Sequence, residues 1–316
     1  MRLLLFNPET EYALASGASF YTPPKRVEAM RLERQLLPEA WAESGDFILV
    51  DDPSILSSRF SLVAWESLEG LFEQHPDLTV EPWGWNHALI RRLKDAGVPS
   101  SKLPDESRMS RIRELAHRRT TVACCRMWNE SVGSEFTVEV PAELTSAGEC
   151  MEFYRKNPGC WFKAPWSSSG RGVINTAADM TDVLVEQWCR GILRRQGSVM
   201  GETGADRIAD FATEWRIASG EARYLGLSSF STSNRGKYIS NDLMGQEEMA
   251  ERFDAVSSMS IREVVGRQKG ILEEVLSGYD GLCGVDMLVE RSGRLRPFVE
   301  LNLRRTMGML HGMQPD

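Results

Sequence analysis

The stretch that decides the fold is GVDMLVERSGRLRPFVELNLR, residues 284–304, near the end of the chain. Two apolar segments, 284–290 and 297–304, flank Ser292-Gly293, which is typical of two β-strands joined by a tight turn. Because side chains alternate along a strand, Glu300 and Asn302 point to one face, with Arg304 one step further. The run therefore predicts an antiparallel hairpin that carries polar groups on one face.

These polar groups have the chemistry of a cation site. Glu300 and Asn302 hold two oxygen ligands side by side on a rigid strand, which suits Mg²⁺ with bound nucleotide phosphates. Asp286 on the facing strand would be a third ligand. A carboxylate opposite a carboxylate destabilises a bare sheet, and a cation between them would explain the choice.

The register of the hairpin decides whether Asp286 belongs to this set. A two-residue turn at Ser292-Gly293 would place Asp286 opposite Val299, with its side chain on the other face from Glu300. A loop with an odd number of residues, such as a three-residue loop with a glycine bulge, puts both carboxylates on one face. We therefore predict a left-handed Gly293 and such a bulge.

Length and composition set the class of protein. The 316 residues exceed the usual size of one core, so two or three domains are expected. The net charge of −8 argues against nucleic-acid and anionic-membrane partners. The N-terminal apolar stretch is too short for a signal peptide, and no apolar run approaches the roughly 20 residues of a membrane span. Six cysteines without a CxxC pair, and histidines without zinc spacing, predict reduced thiols in a cytoplasmic protein.

The first hundred residues alternate strand and helix. Strands over 3–6 and 47–50 alternate with helical patterns, which predicts a parallel sheet with ligand loops at the carboxyl ends of its strands. Asn7 and Glu9 follow the first strand and are candidate substrate contacts, although a turn with a capped strand end explains them equally well. Beyond a linker at 100–110, helices alternate with hairpins, so the later sheets are expected to be mostly antiparallel.

A second constellation is WFKAPWSSSGRGV at residues 161–173, where a strand delivers Lys163 into a loop of small residues. Small residues let backbone N–H groups approach phosphate oxygens, and the lysine supplies a point charge. No Walker sequence ends the loop, and taken alone a flexible hairpin loop explains it about as well. The candidate phosphate contacts in this loop are Ser167, Ser168, Ser169, Gly170 and Gly172.

Two further features could serve a nucleotide. The strand 198–202 could offer backbone groups near Met200 to an adenine edge and the Glu202 carboxylate to ribose hydroxyls, but an exposed acid at a strand end is the stronger explanation. A basic helix carries Arg118 and Arg119, either of which could reach triphosphate oxygens. The spacing does not choose between these two arginines.

A polar segment follows the apolar strand near 222–230 and offers hydrogen-bond donors that could hold a substrate. A plain exposed hairpin explains this segment about as well. The candidate substrate contacts in this region are Ser228, Asn234, Tyr238 and Asn241.

The order of these elements resembles the ATP-grasp superfamily of carboxylate–amine and carboxylate–thiol ligases, over roughly residues 106–316. The strongest match is Glu300-x-Asn302 followed by Arg304. The resemblance implies an α/β and α+β protein, in which an N-terminal Rossmann-like parallel sheet precedes a two-subdomain ATP-grasp fold. The expected domains are 1–105, 106–196 with the phosphate loop, and 197–316 with the metal site.

The resemblance also implies roles. Lys163 would bind the α- and β-phosphates, and the loop 167–172 would close over them. Glu202 would hold the ribose. The set of Asp286, Glu300 and Asn302 would bind one or two Mg²⁺ ions, for which Mn²⁺ could substitute. Arg304 would neutralise charge on the transferred phosphoryl group. The chain departs from the family where most members carry a further lysine, because Arg118 and Arg119 occupy that stretch.

The function implied is an ATP-dependent ligase. ATP would convert a substrate carboxylate into an acyl phosphate, which an amine or a thiol would attack. The substrate would be a small molecule or a peptide with a carboxylate, and a homodimer is expected by analogy alone. The alternatives are a non-catalytic ATP-grasp protein that binds nucleotide or peptide, and a phosphotransferase on the same fold.

Overall fold

The chain forms two compact units, Met1–Glu114 and Leu115–Asp316, in a computed structural model that describes residues 1–167, 172–176, 180–232 and 238–310. Four of the candidate residues, Ser168, Ser169, Gly170 and Asn234, lie outside these described residues. The domain boundaries expected at 105 and 196 stay predictions.

The first unit is built on a four-stranded parallel sheet with the strand order β3-β2-β1-β4, as the alternation of strand and helix predicts. Short 3₁₀ helices at Leu37–Ala40, Pro53–Ile55, Trp65–Ser67 and Ser100–Lys102 complete its connections. Its strands are β1 (Arg2–Leu5), β2 (Phe47–Val50), β3 (Ser61–Ala64) and β4 (Thr79–Pro82). Its helices are α1 (Thr10–Ser16), α2 (Lys25–Glu33), α3 (Leu68–Gln74), α4 (His87–Asp95) and α5 (Glu106–Leu115), the last of which ends one residue into the second unit.

The central strands of this sheet are apolar except for Arg2 at the start of β1. Residues 3–5 of β1 and 48–50 of β2 are all buried, as expected for parallel strands that are covered on both faces. The strand order reverses beside β1, since β2 lies on one side of it and β4 on the other. Asn7 joins the loops that follow β1 and β4, because its Nδ2 donates to Gly84 O at 2.7 Å and its Oδ1 accepts from Gly84 N at 3.3 Å.

The second unit contains two sheets, with strand orders β5-β8-β6-β7 and β11-β10-β9-β12-β13. Every strand pair in these sheets is antiparallel, as predicted. The strands are β5 (Ala142–Leu144), β6 (Trp161–Lys163), β7 (Val173–Asn175), β8 (Val199–Glu202), β9 (Arg207–Ala218), β10 (Glu221–Thr232), β11 (Tyr238–Asn241), β12 (Gly281–Glu290) and β13 (Leu295–Asn302). The helices are α6 (Arg119–Ser131), α7 (Ala147–Lys156), α8 (Asp182–Gln196), α9 (Gln246–Val256) and α10 (Ile261–Val275), with 3₁₀ helices at Ser134–Phe136 and Gly308–Leu310.

Helices α7 and α8 cover the smaller sheet. Side-chain oxygens of Ser146 and Thr181 cap their first turns, and Gly197 ends α8 in the left-handed region at φ 83°. The core beneath them includes Phe162 and Cys189. All six cysteines of the chain are buried, as predicted, and none of them forms a disulfide in this structure.

Helix α6 packs on β13 of the larger sheet. The rings of Trp128 and Phe298 meet edge to face with centroids 6.2 Å apart, and Cys125 Sγ lies 3.7 Å from Phe298 O. These contacts hold the second half of α6 against the middle of β13. No helix in the described part of the chain is long and apolar enough to cross a membrane.

The hairpin β12–β13 has the predicted connection. Glu290 N donates to Arg294 O at 2.9 Å, which leaves a three-residue loop, and Gly293 is left-handed at φ 84°. Both predictions for this turn are therefore confirmed. A second irregularity follows along the strands, because Leu288 opposes Arg296 whereas Asp286 opposes Glu300. Asp286 and Leu288 are two residues apart on β12, whereas their partners Glu300 and Arg296 are four residues apart on β13. Because the difference is an even number of residues, Asp286 stays on the same face as Glu300.

We expect Gly293→Ala to lower the free energy of unfolding by about 1 kcal/mol, because a Cβ is unfavourable at this φ even though its nearest neighbour would be 3.5 Å away. The matched control is Gly266→Ala in α10, where a Cβ would meet nothing within 4 Å. This control should raise stability by up to about 1 kcal/mol. Urea unfolding of both variants measures the effect, and equal behaviour of the two would contradict the role given to Gly293.

Candidate active site

A row of paired residues across the larger sheet brings predicted site residues to one face. Ser228 on β10 opposes Ala212 on β9, Ala212 opposes Asp286 on β12, and Asp286 opposes Glu300 on β13. Residues that pair directly share a face, so Ser228, Asp286 and Glu300 all point the same way. The next row along the strands contains Gly226, Glu214, Gly284 and Asn302 in the same order.

Two of the three predicted metal ligands, Asp286 and Asn302, are hydrogen-bonded, and the third, Glu300, pairs with Asp286 across the strands. Asn302 Nδ2 donates to Asp286 Oδ1 at 3.1 Å, and Arg304 Nη2 donates to Asn302 Oδ1 at 3.3 Å. Burial raises the pKa of Asp286 well above its usual range, and the carboxylates of Glu300 and Glu214 raise that pKa further. Burial also lowers the pKa of Arg304 to about 10, so its guanidinium stays protonated at neutral pH.

Glu214 is a buried acid of the site that the sequence analysis does not predict. Its side chain is only 1% exposed, and burial raises its pKa to about 7, while Thr306 and Ser228 lower that pKa. Ser228 Oγ donates to Glu214 Oε1 at 3.0 Å, whereas Oε2 has no hydrogen bond of regular geometry to Thr306 or to any other described residue.

Glycines make room for this acid. A Cβ on Gly284 would lie 2.9 Å from Glu214 Oε2, and a Cβ on Gly308 would collide with Glu214 Oε1. Side chains at these two positions would therefore displace the carboxylate. The sequence signal for Glu214 is a lone acid within the otherwise buried run 211–217, between strands that carry glycine at the facing positions.

The lysine loop is closed at its base. Ala164 N donates to Gly172 O at 2.7 Å, and Gly172 is left-handed at φ 72°. A Cβ on Gly172 would lie 3.0 Å from the Cβ of Ser167 and 3.1 Å from the Cβ of Ala164. Glycine is thus required at position 172 by both its φ and its surroundings, and the loop 164–172 begins and ends at one point beside Lys163.

Lys163 and Glu202 form an ion pair, with Nζ and Oε2 2.6 Å apart. Lys163 opposes Met200, and Trp161 opposes Glu202, so both charged side chains lie on one face of the smaller sheet. The side chains of Lys163 and Glu202 are only 10% and 15% exposed. Two groups predicted for a phosphate and a ribose are therefore neighbours in the folded chain.

Arg118 connects the lysine loop with the polar end of β13. Its backbone N donates to Pro165 O at 3.1 Å, and its Nε donates to Ala164 O at 3.1 Å. Its Nη2 donates to Ser167 Oγ at 3.1 Å and to Glu300 Oε1 at 2.6 Å. The guanidinium is buried, and its Nη1 has no hydrogen-bond acceptor among the described residues. A buried donor without an acceptor carries a free-energy cost that an anionic ligand oxygen could remove.

Arg119 points elsewhere. Its Nη2 lies 2.8 Å from Glu143 Oε1, and its Nε donates to His117 Nδ1 at 3.3 Å. The Arg119 side chain is 54% exposed, against 7% for Arg118. The sequence spacing does not show which of the two arginines reaches the predicted site. In the structure, Arg118 contacts both Ser167 and Glu300, whereas Arg119 contacts neither.

The donor set fits a hard divalent cation. Two carboxylates pair across adjacent strands, and the amide of Asn302 lies in the next row. Burial raises the pKa of Asp286, and the nearby carboxylates, whose charge a cation could balance, raise it further. In the described residues no group of three or more His, Cys, Asp or Glu side chains is arranged to hold a metal.

Three further residues predicted to contact substrate are Asn241, Tyr238 and Asn7. Asn241 opposes Phe230, two residues along β10 from Ser228, and so shares the face of Ser228 on the far edge strand. For Tyr238 the structure describes the backbone alone, which pairs with Thr232. Asn7 uses its side-chain amide to join two loops of the first unit, as described above.

Comparisons with known proteins support the fold. No protein-family model matches the sequence, and no curated protein matches it significantly. A Campylobacter jejuni biotin carboxylase, solved as a β-γ-ATP complex, is similar with a TM-score of 0.56 at 12% identity, over 97% of this chain and 66% of that one. A dimeric biotin carboxylase domain of Hydrogenobacter thermophilus 2-oxoglutarate carboxylase, with MgADP, ADP and bicarbonate, gives 0.53 at 12%, over 97% and 64%.

Staphylococcus aureus N5-carboxyaminoimidazole synthetase, complexed with ADP, gives a TM-score of 0.51 at 10% identity, over 97% of this chain and 71% of that one. The chain thus spans just under two thirds of the length of the two biotin carboxylase structures. These neighbours have ATP-grasp folds, so the likeness confirms the predicted fold class, a parallel sheet followed by an ATP-grasp fold.

Proposed function

We propose that the protein is an ATP-dependent ligase that activates a substrate carboxylate as an acyl phosphate for attack by an amine or a thiol. The observation that carries the proposal is the position of Arg118, which binds the lysine loop and Glu300 through one guanidinium. The predicted phosphate site and the predicted metal site are thereby parts of one site within the second unit.

The nucleotide would be held by groups that already lie together. Lys163 and Nη1 of Arg118 would neutralise phosphate oxygens, and Glu202 would accept hydrogen bonds from ribose hydroxyls. Backbone groups near Met200 would face the adenine edge. Binding would exchange the Lys163–Glu202 ion pair for separate contacts with the two ends of the nucleotide.

Asp286, Glu300 and Asn302 would hold Mg²⁺, and Mn²⁺ has the same ligand preference for oxygen. Bound there, the ion would neutralise charge on the phosphate oxygens. Glu214 lies in the row of Asn302, close enough to raise the pKa of Asp286, and would add negative charge to the site when it loses its proton.

The reaction would proceed in two displacements. A carboxylate oxygen of the substrate attacks the γ-phosphorus, the bond to the β-phosphate oxygen breaks, and ADP leaves. The amine or thiol then attacks the acyl carbon, loses its proton to solvent, and inorganic phosphate leaves. Lys163, Arg118 and Arg304 would balance the negative charge that develops, so catalysis would need positioning and electrostatics but no protein nucleophile.

A ligase must release ADP and phosphate only when both substrates are present. We expect the protein with MgATP to form them upon addition of pooled carboxylic acids and amino acids, and expect D286N and E300Q to slow release at least about 100-fold, as removing a charge-stabilising group does. E143Q is the matched control. Phosphate release without any dependence on added substrate would contradict the proposal. A stable phosphorylated product would indicate a phosphotransferase, and binding without turnover a non-catalytic protein.

The two adjacent arginines provide a second test. We expect R118M to weaken MgATP binding about tenfold to hundredfold, since a buried hydrogen bond to a charged group is worth about 1.5–3 kcal/mol. R119M should change binding by less than about threefold, because exposed ion pairs contribute little. R118K keeps the positive charge but loses the second guanidinium NH2 group, so its affinity for MgATP should lie between those of R118M and the wild type. Calorimetric titration with MgADP and MgATP measures this, and equal losses in R118M and R119M would argue against the assignment.

Binding of Mg²⁺ should depend on pH. The pKa of Asp286 is raised by burial and nearby carboxylates, and that of Glu214 is about 7, so cation binding must release protons. Because protons compete with Mg²⁺ for these carboxylates at low pH, the Mg²⁺ affinity should rise several-fold from pH 6 to pH 8. Titrations in buffers with different ionisation enthalpies count the protons released, and E214Q should reduce the count. An affinity that is the same at both pH values would count against this site.

A further inference from the structure

A cavity of about 130 Å³ lies in the first unit. It is lined by the carboxyl ends of β1 and β2, through Leu5 and Val50, and by the first turn of α4. Because the strand order reverses at β1, this edge is the kind of crevice where open α/β sheets bind ligands. The volume is below the roughly 300–1,000 Å³ of drug-sized pockets, so it suits a small polar molecule.

Two arginines share one acid at this cavity. Arg31 Nη1 lies 2.6 Å from Asp51 Oδ2, and Arg92 Nη2 lies 3.2 Å from Asp51 Oδ1. Arg92 also lies over the ring of Trp65, with its Cζ 3.6 Å from the ring centroid. Both arginines line the cavity, and the acids Glu9 and Glu28 line it as well. The arrangement is fixed by an ion pair and a ring contact before any ligand arrives.

A carboxylate of opposite charge lines the same cavity. Glu9 follows β1, and its Oε2 is buried with no hydrogen-bond partner among the described residues. Among the residues that the structure describes, no ion pair of 4 Å or less joins Glu9 to Arg31 or Arg92. Burial raises the pKa of Glu9, whereas the two arginines lower it. The cavity thus holds a carboxylate and two guanidinium groups whose charges act on each other without a direct ion pair.

We propose that this cavity binds a small zwitterion, an α-amino acid, whose ammonium group pairs with Glu9 and whose carboxylate pairs with Arg92 and Arg31. An α-amino acid presents both charges on one short frame, as a cavity with separated charges on its walls requires. A simple anion would leave Glu9 Oε2 without a partner, and a simple cation would leave the arginines with unbalanced charge. The proposal uses residues of the first unit alone, so it does not depend on the proposed ligase activity.

The test uses the full chain without nucleotide or Mg²⁺. Each of the twenty standard L-amino acids is titrated by calorimetry, and the tightest binder is compared with its des-amino carboxylic acid and with the amine that lacks the carboxylate. We expect at least one amino acid to bind, and both analogues to bind at least about tenfold more weakly, since each loses a charge-assisted contact. This comparison needs no variant and therefore cannot fail through misfolding.

Variants then locate the site. E9Q and R92M should each weaken binding at least about tenfold. R91M is the matched control on the same helix, because Arg91 pairs with Asp95 and lies over the ring of Phe20. R31M serves as a second site variant if E9Q does not fold. No amino-acid binding up to millimolar concentration, equal binding of the des-amino acid, or binding that survives E9Q and R92M would each overturn the proposal. Loss of ATP turnover alone would leave it intact.

Discussion

The candidate active site depends on one buried guanidinium. Arg118 joins the base of the lysine loop, through Ala164 O and Ser167 Oγ, to Glu300 on the last strand. A buried charge is tolerated only where it is paired and hydrogen-bonded, and Arg118 meets both conditions with groups that are distant in sequence. Packing of α6 on β13 holds the helix that begins directly after Arg118. Elements from both sheets of the second unit are thereby fixed around one charge.

The larger sheet places three acidic side chains close together on neighbouring strands. Asp286, Glu300 and Glu214 lie in adjacent rows of one face, and their mutual repulsion together with burial raises the pKa of Asp286. Glycines at 284 and 308 leave space for Glu214, where any side chain would displace it. The sheet therefore holds acidic groups where they are costly without a partner. Such a cost is typical of functional sites, and under the proposed function a bound cation would balance the charge.

Local pattern predicts much of this arrangement. The hairpin, its three-residue loop and the left-handed Gly293 follow from alternation and turn chemistry alone, because both act over a few residues. The extra two-residue shift near Met287 does not, since register beyond the turn depends on packing across the sheet. Arg118 and Arg119 are equivalent in sequence and differ only in what the fold brings near them. The sequence does not reveal Glu214, because its neighbours come from two other strands and a C-terminal turn.

The ion pair between Lys163 and Glu202 has a consequence for selectivity. Lys163 and Glu202 neutralise each other where both are largely buried, so a ligand that binds the lysine alone leaves the Glu202 carboxylate buried without a partner. Inorganic polyphosphate could pair with the lysine but has no hydrogen-bond donor for the carboxylate. A nucleoside carries hydroxyl donors at the other end of the same molecule and could satisfy both partners at once. Under the proposed function, the pair would favour binding of a nucleoside triphosphate over binding of inorganic triphosphate.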